Sequence, residues 1–431
     1  MYQHEPAIPH LNTAYQGPLE HLEKIILEKV PLIESWFRQQ WQKTPASITC
    51  SVDLRHAGFK LAPVDTNLFP AGFNNLNREF LPLCVQAVQT IMVEHLPSCK
   101  KVLILPESHT RNRFYLESLA VLRDIFVQAG FIVRIASLDP ELREPIEFTP
   151  ERGVVLKIEP ANRRGDALGL EAFAPCLVLL NNDLSAGVPP LLQNVKQLIR
   201  PTSKLGWFSR LKSDHFQLYD QVAQEFAERI AIDPWLINPY FCKVTGLDFM
   251  AQEGLNALTR EAEALLERIQ QKYQEYGVRE RPFLAVKADN GTYGMNVMMI
   301  HEASELGQMN RKQRTKMSSG KGGVKIEKVI LQEGVYSNET TADGAIAEPV
   351  VYLIGPFVIG GFYRVHRSKA RDENLNAPGM HFEPLAFTEA CNMPRGDLPC
   401  EESPNRFYVY GVIARLAALA AAREIAAVGG E

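Results

Sequence analysis

The stretch Phe283-Leu-Ala-Val-Lys-Ala-Asp-Asn-Gly-Thr-Tyr-Gly294 constrains this chain more than any other. A short apolar run turns a lysine outward at its end. A polar loop with two glycines follows, and Val297 to Ile300 resumes the apolar run. Strand, glycine loop and strand make a hairpin whose backbone N–H groups can lie over a polyphosphate, with Lys287 beside it as a point charge. Two further pieces follow in order. Val329-Ile-Leu-Gln-Glu-Gly334 reads as an apolar strand ending in a polar step, and Glu373-Asn-Leu-Asn-Ala-Pro-Gly379 clusters oxygen ligands near the end of the chain.

ATP-dependent bond formation needs cations and N–H donors on the phosphates, a clamp for adenine and ribose, and oxygen ligands for Mg²⁺. Lys287 with Asn290, Gly291 and Gly294 can supply the first, and Lys204 and Lys212 are alternatives for a second phosphate lysine. Gln332, Glu333 and Gly334 can supply the second: strand-end backbone meets the adenine edge and the Glu333 carboxylate accepts from ribose hydroxyls. Asp372, Glu373, Asn374 and Asn376 can supply the third, since Mg²⁺ favours hard oxygen donors. A Gly-x-x-x-x-Gly-Lys-Ser/Thr loop is absent, and no Gly-x-Gly-x-x-Gly follows a strand. Gly320-Lys-Gly-Gly323 reads as a surface loop.

A chain of 431 residues is expected to hold two or three domains. Strands at Lys101–Leu105, Phe131–Ala136 and Cys176–Leu180 alternate with helices at Leu81–His95 and Arg113–Ala129. That pattern predicts a parallel α/β sheet with its ligand edge at the strands' carboxyl ends, near Asn181 to Asp183. Boundaries near residues 200 and 330 give an N-terminal α/β domain (1–200) and two further units (201–330 and 331–431). Leu19 to Trp41 has helical spacing, and the alanine-rich tail from Val409 suits a buried helix better than a membrane span. In Ala46 to Lys60, Ser51, Asp53 and Arg55 alternate with Val52 and Leu54, placing three polar side chains on one side of a strand.

With 46% hydrophobic and 22% charged residues the chain is that of a soluble globular protein, and a net charge of −4 calls for neither nucleic acid nor an anionic membrane. The seven cysteines fall at irregular spacings without a Cys-x-x-Cys pair. They predict neither a disulfide framework nor structural zinc, and a cytoplasmic location.

From about Lys204 to Leu385 the residues resemble the ATP-grasp superfamily, glutathione synthetase-like ligases in particular. Leu211-Lys-Ser-Asp-His-Phe216 is similar to the segment bearing the first phosphate lysine, Asp233 to Asn238 to the short proline-led piece after it, and Phe283 to Ile300 to the second lysine strand. Val329 to Gly334 resembles the hinge strand, and Glu373 to Leu385 the metal-binding asparagine loop ending Gly-x-x-x-Glu-Pro-Leu. The resemblance implies an ATP-grasp domain of two α+β subdomains after the N-terminal domain, and an acyl-phosphate intermediate. The superfamily carries an acidic metal ligand on the strand before the asparagine loop, whereas Val350 to Val365 holds no carboxylate; Glu348 precedes it and Asp372 follows.

Ser51 to Leu76 resembles the glutamate–cysteine ligase family of certain proteobacteria, and extends the resemblance over nearly the whole chain. It implies ATP-dependent joining of the L-glutamate side-chain carboxyl to the L-cysteine amine, the first step of glutathione synthesis. Another ATP-grasp amino-acid or peptide ligase and a non-catalytic ATP-binding protein are the alternatives. Under this reading Arg55 meets the glutamate α-carboxylate, Asp53 or Asp65 holds its ammonium, and Asn67, Asn74 and Asn75 bind amide or carboxyl oxygens. Arg364, at the end of the Gly360-Gly-Phe-Tyr-Arg364 strand, reaches phosphate or substrate carboxylate. A homo-oligomer is left open.

Overall fold

The computed structural model describes residues 12–13, 18–108, 112–151, 153–291, 296–320, 325–341, 343–384 and 406–429. Three sheets organise them. A six-stranded sheet runs Ile199–Arg200, Leu177–Asn181, Lys101–Pro106, Ile132–Ser137, Leu156–Pro160 and Ile146–Phe148, parallel except for the last pair. This is the predicted parallel sheet; its central strands are buried on both faces, so they read as continuous apolar runs. At its carboxyl edge, the expected ligand edge, polar residues are held by protein partners. Asn181 is spent on Tyr115 and the Pro70 carbonyl, and Asp183 accepts from the Ser185 and Trp207 backbone N–H groups.

A four-stranded antiparallel sheet runs Phe241–Thr245, Lys328–Glu333, Leu284–Ala288 and Val297–Ile300. The lysine hairpin therefore exists as read, except that Thr292 to Met295, with Gly294 among them, lie outside the described residues.

The seven-stranded antiparallel sheet ignores chain order. Ile346–Ile354 pairs on one side with Phe357–His366 and on the other with Thr49–His56, which pairs in turn with Leu61–Asn67. These pairings cross the boundaries drawn near residues 200 and 330. The strand expected from Val350 starts at Ile346 and so carries Glu348. The Thr49–His56 strand alternates as predicted: Val52 and Leu54 enter the main core, and Asp53 and Arg55 face the other way.

The helix Arg406–Ala427 packs on the Lys212–Ile230 helix and on the Thr49–Asn67 hairpin. Its alanines let neighbours approach from all sides, and the residues from Tyr408 to Ala422, Arg415 included, are buried. Among the described residues no helix is long and apolar enough to cross a membrane. The single helix expected over Leu19 to Trp41 breaks at Lys29 into Pro18–Glu28 and Val30–Lys43, with Pro31 opening the second. Cys99 and Cys176 form a disulfide, a pairing that their spacing of 77 residues did not suggest.

Candidate active site

One cavity, with about 930 Å³ of free space partly open to solvent, separates the four-stranded sheet from the polar face of the seven-stranded one. Residues opposite one another in a ladder share a face. Ala285 pairs with Gln332 and Met299, and Lys287 with Val297, so all five present one face, and all five line the cavity. Leu284 and Val286 alternate away from it into the core. Lys287 Nζ donates to Gln332 Oε1 at 2.6 Å and to the Val64 carbonyl at 2.7 Å. Burial, which outweighs the attraction of Asp65, pushes its amine down to about 8.

The helix Lys212–Ile230 puts Lys212 in its first turn at the cavity. Asp289, next after the lysine strand, explains the start. Its buried carboxylate accepts from Ser213 N at 2.8 Å and Ser213 Oγ at 2.8 Å, and its carbonyl accepts from Lys212 N at 2.7 Å. Lys212 Nζ lies 3.3 Å from Asp65 Oδ1 and 3.6 Å above the Trp207 ring centre. Arg210 ties the same segment to the hairpin, donating to the Thr66 carbonyl at 2.7 Å and to both oxygens of buried Glu424. Lys204 does not reach the cavity; it donates to the carbonyls of Val428 and Gly429 beyond the last helix. Of the two alternatives only Lys212 lines the cavity. Losing a charge-assisted contact costs roughly 10- to 100-fold, so Lys212→Ala should raise the KM for ATP by that factor. Lys204→Ala should leave it within about two-fold, since an exposed contact contributes little. Steady-state kinetics compare the two directly.

The opposite wall is a ladder of charges. Arg55 Nε donates to Glu348 Oε2 at 2.9 Å, and Arg364 Nη1 bridges Glu348 Oε1 and Asp53 Oδ2, the latter at 2.9 Å. Glu348 and Arg364 are direct cross-strand partners, which places the pair. Burial raises the Glu348 pKa, but Arg55 and Arg364 outweigh it and hold the carboxyl low. At Asp53 burial prevails and the pKa goes up, with Asp65 and Glu348 adding repulsion to Arg364's attraction. At Asp65 burial is outweighed by Lys212, Lys287 and Arg210, and the pKa goes down.

Several expected residues lie elsewhere or have their polar groups committed to protein partners. The Glu333 carboxylate points to the far face of its sheet, where it takes Lys60 Nζ at 2.6 Å, Trp235 Nε1 at 3.1 Å and Tyr240 N at 2.9 Å. It is spent and cannot receive ribose hydroxyls. Arg55 has Nε, Nη1 and Nη2 committed to Glu348 and to the carbonyls of Val335 and Glu373, so it is a brace rather than an open carboxylate clamp. Asn67 accepts from Phe69 N, and Asn74 donates to Asn75; none of the three lines the cavity. Such local bonds are what asparagine makes in turns. Asp372 pairs with His301 and Glu373 with Lys369, away from the cavity, while Asn374 and Asn376 of the same loop do line it. Glu348, which sequence did not place in the site, lines the cavity from within the strand, two residues before the assumed strand start.

Among the described residues no group of three or more His, Cys, Asp or Glu is arranged to hold a metal ion. The cavity nonetheless gathers carboxylate and amide oxygens from Asp53, Glu348, Asn374 and Asn376, a hard donor set of the kind Mg²⁺ takes. Gly334 closes the apolar end. Its N–H donates to the Phe283 carbonyl at 2.8 Å, and a Cβ there would come within 2.2 Å of the Phe283 ring. Gly334→Ala should therefore cost about 1–3 kcal/mol through overpacking and displace a ring that lines the cavity. A lowered Tm together with a raised KM for ATP is the expected result.

Paired lysines beside a glycine loop, facing carboxylates and guanidinium groups across one cavity, are the equipment of a ligase that activates a carboxylate with a nucleoside triphosphate. Comparison with known proteins narrows the class. The glutamate–cysteine ligase (GshA) family matches residues 23–425. A crystal structure described as a proposed gamma-glutamylcysteine synthetase from Methylobacillus flagellatus KT is 52% identical, covers 98% of this chain and 100% of its own, and superposes with a TM-score of 0.91. A glutathione synthetase-like effector from Globodera pallida is 10% identical, with 84% of this chain and 83% of its own covered at a TM-score of 0.37, too low to bear on the fold. No curated protein matches. The chain belongs to the glutamate–cysteine ligase family and is an ATP-dependent ligase.

Proposed function

We propose that the cavity binds ATP with its triphosphate between Lys212 and Lys287 and uses it to join the γ-carboxyl of L-glutamate to the amine of L-cysteine. The observation that carries the reading is the convergence of Lys212, Lys287 and Gly291 with Asp53, Glu348 and Arg364 on one cavity. The four-stranded sheet and the sheet carrying Glu348 correspond to the two halves of an ATP-grasp. The base would lie between Ala285, Met299, Phe283 and the backbone of residues 332–335. Asp53, Glu348, Asn374 and Asn376 would hold Mg²⁺, which when bound neutralises charge developing on the phosphates.

A γ-carboxylate oxygen attacks the γ-phosphorus in line, the bond to the β,γ-bridging oxygen breaks, and ADP leaves. Lys287 and Lys212 stabilise the charge that gathers on the transferring group and on ADP. The cysteine amine then attacks the acyl carbon, phosphate departs with the bonding pair, and the amine loses a proton. No protein nucleophile is required; orientation carries much of the acceleration. Arg364 Nε, buried and without a hydrogen-bond partner among the described residues, is the donor available to the substrate α-carboxylate. The test is phosphate release and thiol-dipeptide formation with ATP and Mg²⁺. Dependence on both glutamate and cysteine is expected. Turnover only with other amino acids, or nucleotide binding without turnover, would contradict it.

A further inference from the structure

Gln332 carries an unused donor. As an ammonium Lys287 Nζ only donates, so the Gln332 atom 2.6 Å from it is then the carboxamide oxygen. That fixes the amide's orientation and turns Nε2 the other way. Nε2 has no hydrogen-bond partner among the described residues, although Gln332 is only 1% exposed. Buried amide groups are paired in native interiors, and one left open on a cavity wall has its acceptor in the ligand.

Position identifies the acceptor. Gln332 stands in register with Ala285, which faces Met299, and these make an apolar slot suited to a flat ring. Lys287 lies two residues along the same face from Ala285, toward Asn290 and Gly291. Gln332 thus sits at the junction of the slot and the phosphate lysines. The purine edge that faces the 5′-phosphates presents N7, a ring nitrogen that only accepts. We propose that Gln332 determines how the nucleobase is held: its Nε2–H donates to N7 while its Oε1 keeps Lys287 directed at the phosphates. This rests on the reading of the cavity as an ATP site.

Calorimetric titration with ATP and with 7-deaza-ATP, in which a C–H replaces N7 and the sugar and phosphates are unchanged, tests it. Wild-type protein should bind the deaza nucleotide roughly three- to ten-fold more weakly, the worth of one neutral hydrogen bond. In Gln332→Met the two nucleotides should bind alike. Equal binding by the wild type overturns the assignment, as does a penalty that persists in the variant. A wild type that binds neither nucleotide overturns the ATP site itself, so the two failures are distinguishable. The wild-type comparison needs no variant and decides the matter if Gln332→Met does not fold.

Discussion

Lys287→Met is expected to lower kcat/KM by about 10³-fold or more, because the ammonium stabilises charge that develops only as the phosphoryl group transfers. The same variant should not lose stability. A half-buried ammonium whose pKa is pushed down to about 8 is in an environment that disfavours its charge, and methionine fills the space without that penalty. Activity and stability should therefore separate, which circular dichroism and urea denaturation beside initial rates would detect. A pH dependence follows with a definite sign. Without nucleotide the group is charged below about 8 and neutral above it. The anionic triphosphate favours the charged form, so ATP affinity should fall as pH rises through this range, and binding above it should take up a proton. Titration in buffers of different ionisation enthalpy measures that proton. Its absence, or full activity in Lys287→Met, would remove Lys287 from the site.

Glu348→Ala is expected to reduce activity and stability together. Its carboxylate neutralises Arg55 and Arg364, with its own exposure near 3% and theirs near 5% and 11%. Removing one partner of a buried pair leaves the other charge uncompensated, at a cost of about 3–5 kcal/mol. Arg364 would then be held by Asp53 alone, and the Arg55 brace on the loop at Glu373 would loosen. A lower urea midpoint at unchanged slope, with a raised KM for glutamate, is the signature. Glu348→Gln, which keeps shape and an acceptor oxygen, should recover much of the stability but not the activity. A variant as stable as the wild type would mean that the charge ladder does not brace this wall.

What could be read in the sequence was local. The lysine hairpin, the parallel strands and the alanine-rich helix announce themselves by period and apolarity, since one side chain in two or in 3.6 must enter a core. The alternation of Asp53 and Arg55 was legible for the same reason. Contacts between distant segments were not. Arg55 and Glu348 lie 293 residues apart, and nothing in either neighbourhood names the other. Glu348 was hidden further by Pro349, which reads as the start of a strand. It lies inside one, in the gap between the stretch paired with Glu339–Thr340 and the stretch paired with Thr49–His56. Glu333 misled in the opposite way. Its place beside Gln332 suggested a nucleotide ligand, but adjacent side chains of a strand point to opposite faces, and the Glu333 carboxylate is turned to Lys60 and Trp235. Asn67, Asn74 and Asn75 look like ligands in a list and act as turn residues in the fold.

The most direct measurement of the central claim follows oxygen atoms. L-Glutamate labelled with ¹⁸O in its γ-carboxyl group is turned over with ATP, Mg²⁺ and cysteine, and the released phosphate is weighed by mass spectrometry. If this cavity phosphorylates the γ-carboxylate, each phosphate carries one labelled oxygen and the thiol dipeptide retains the other. Unlabelled phosphate would mean that ATP is cleaved by water, and that the two walls do not act on one carboxylate.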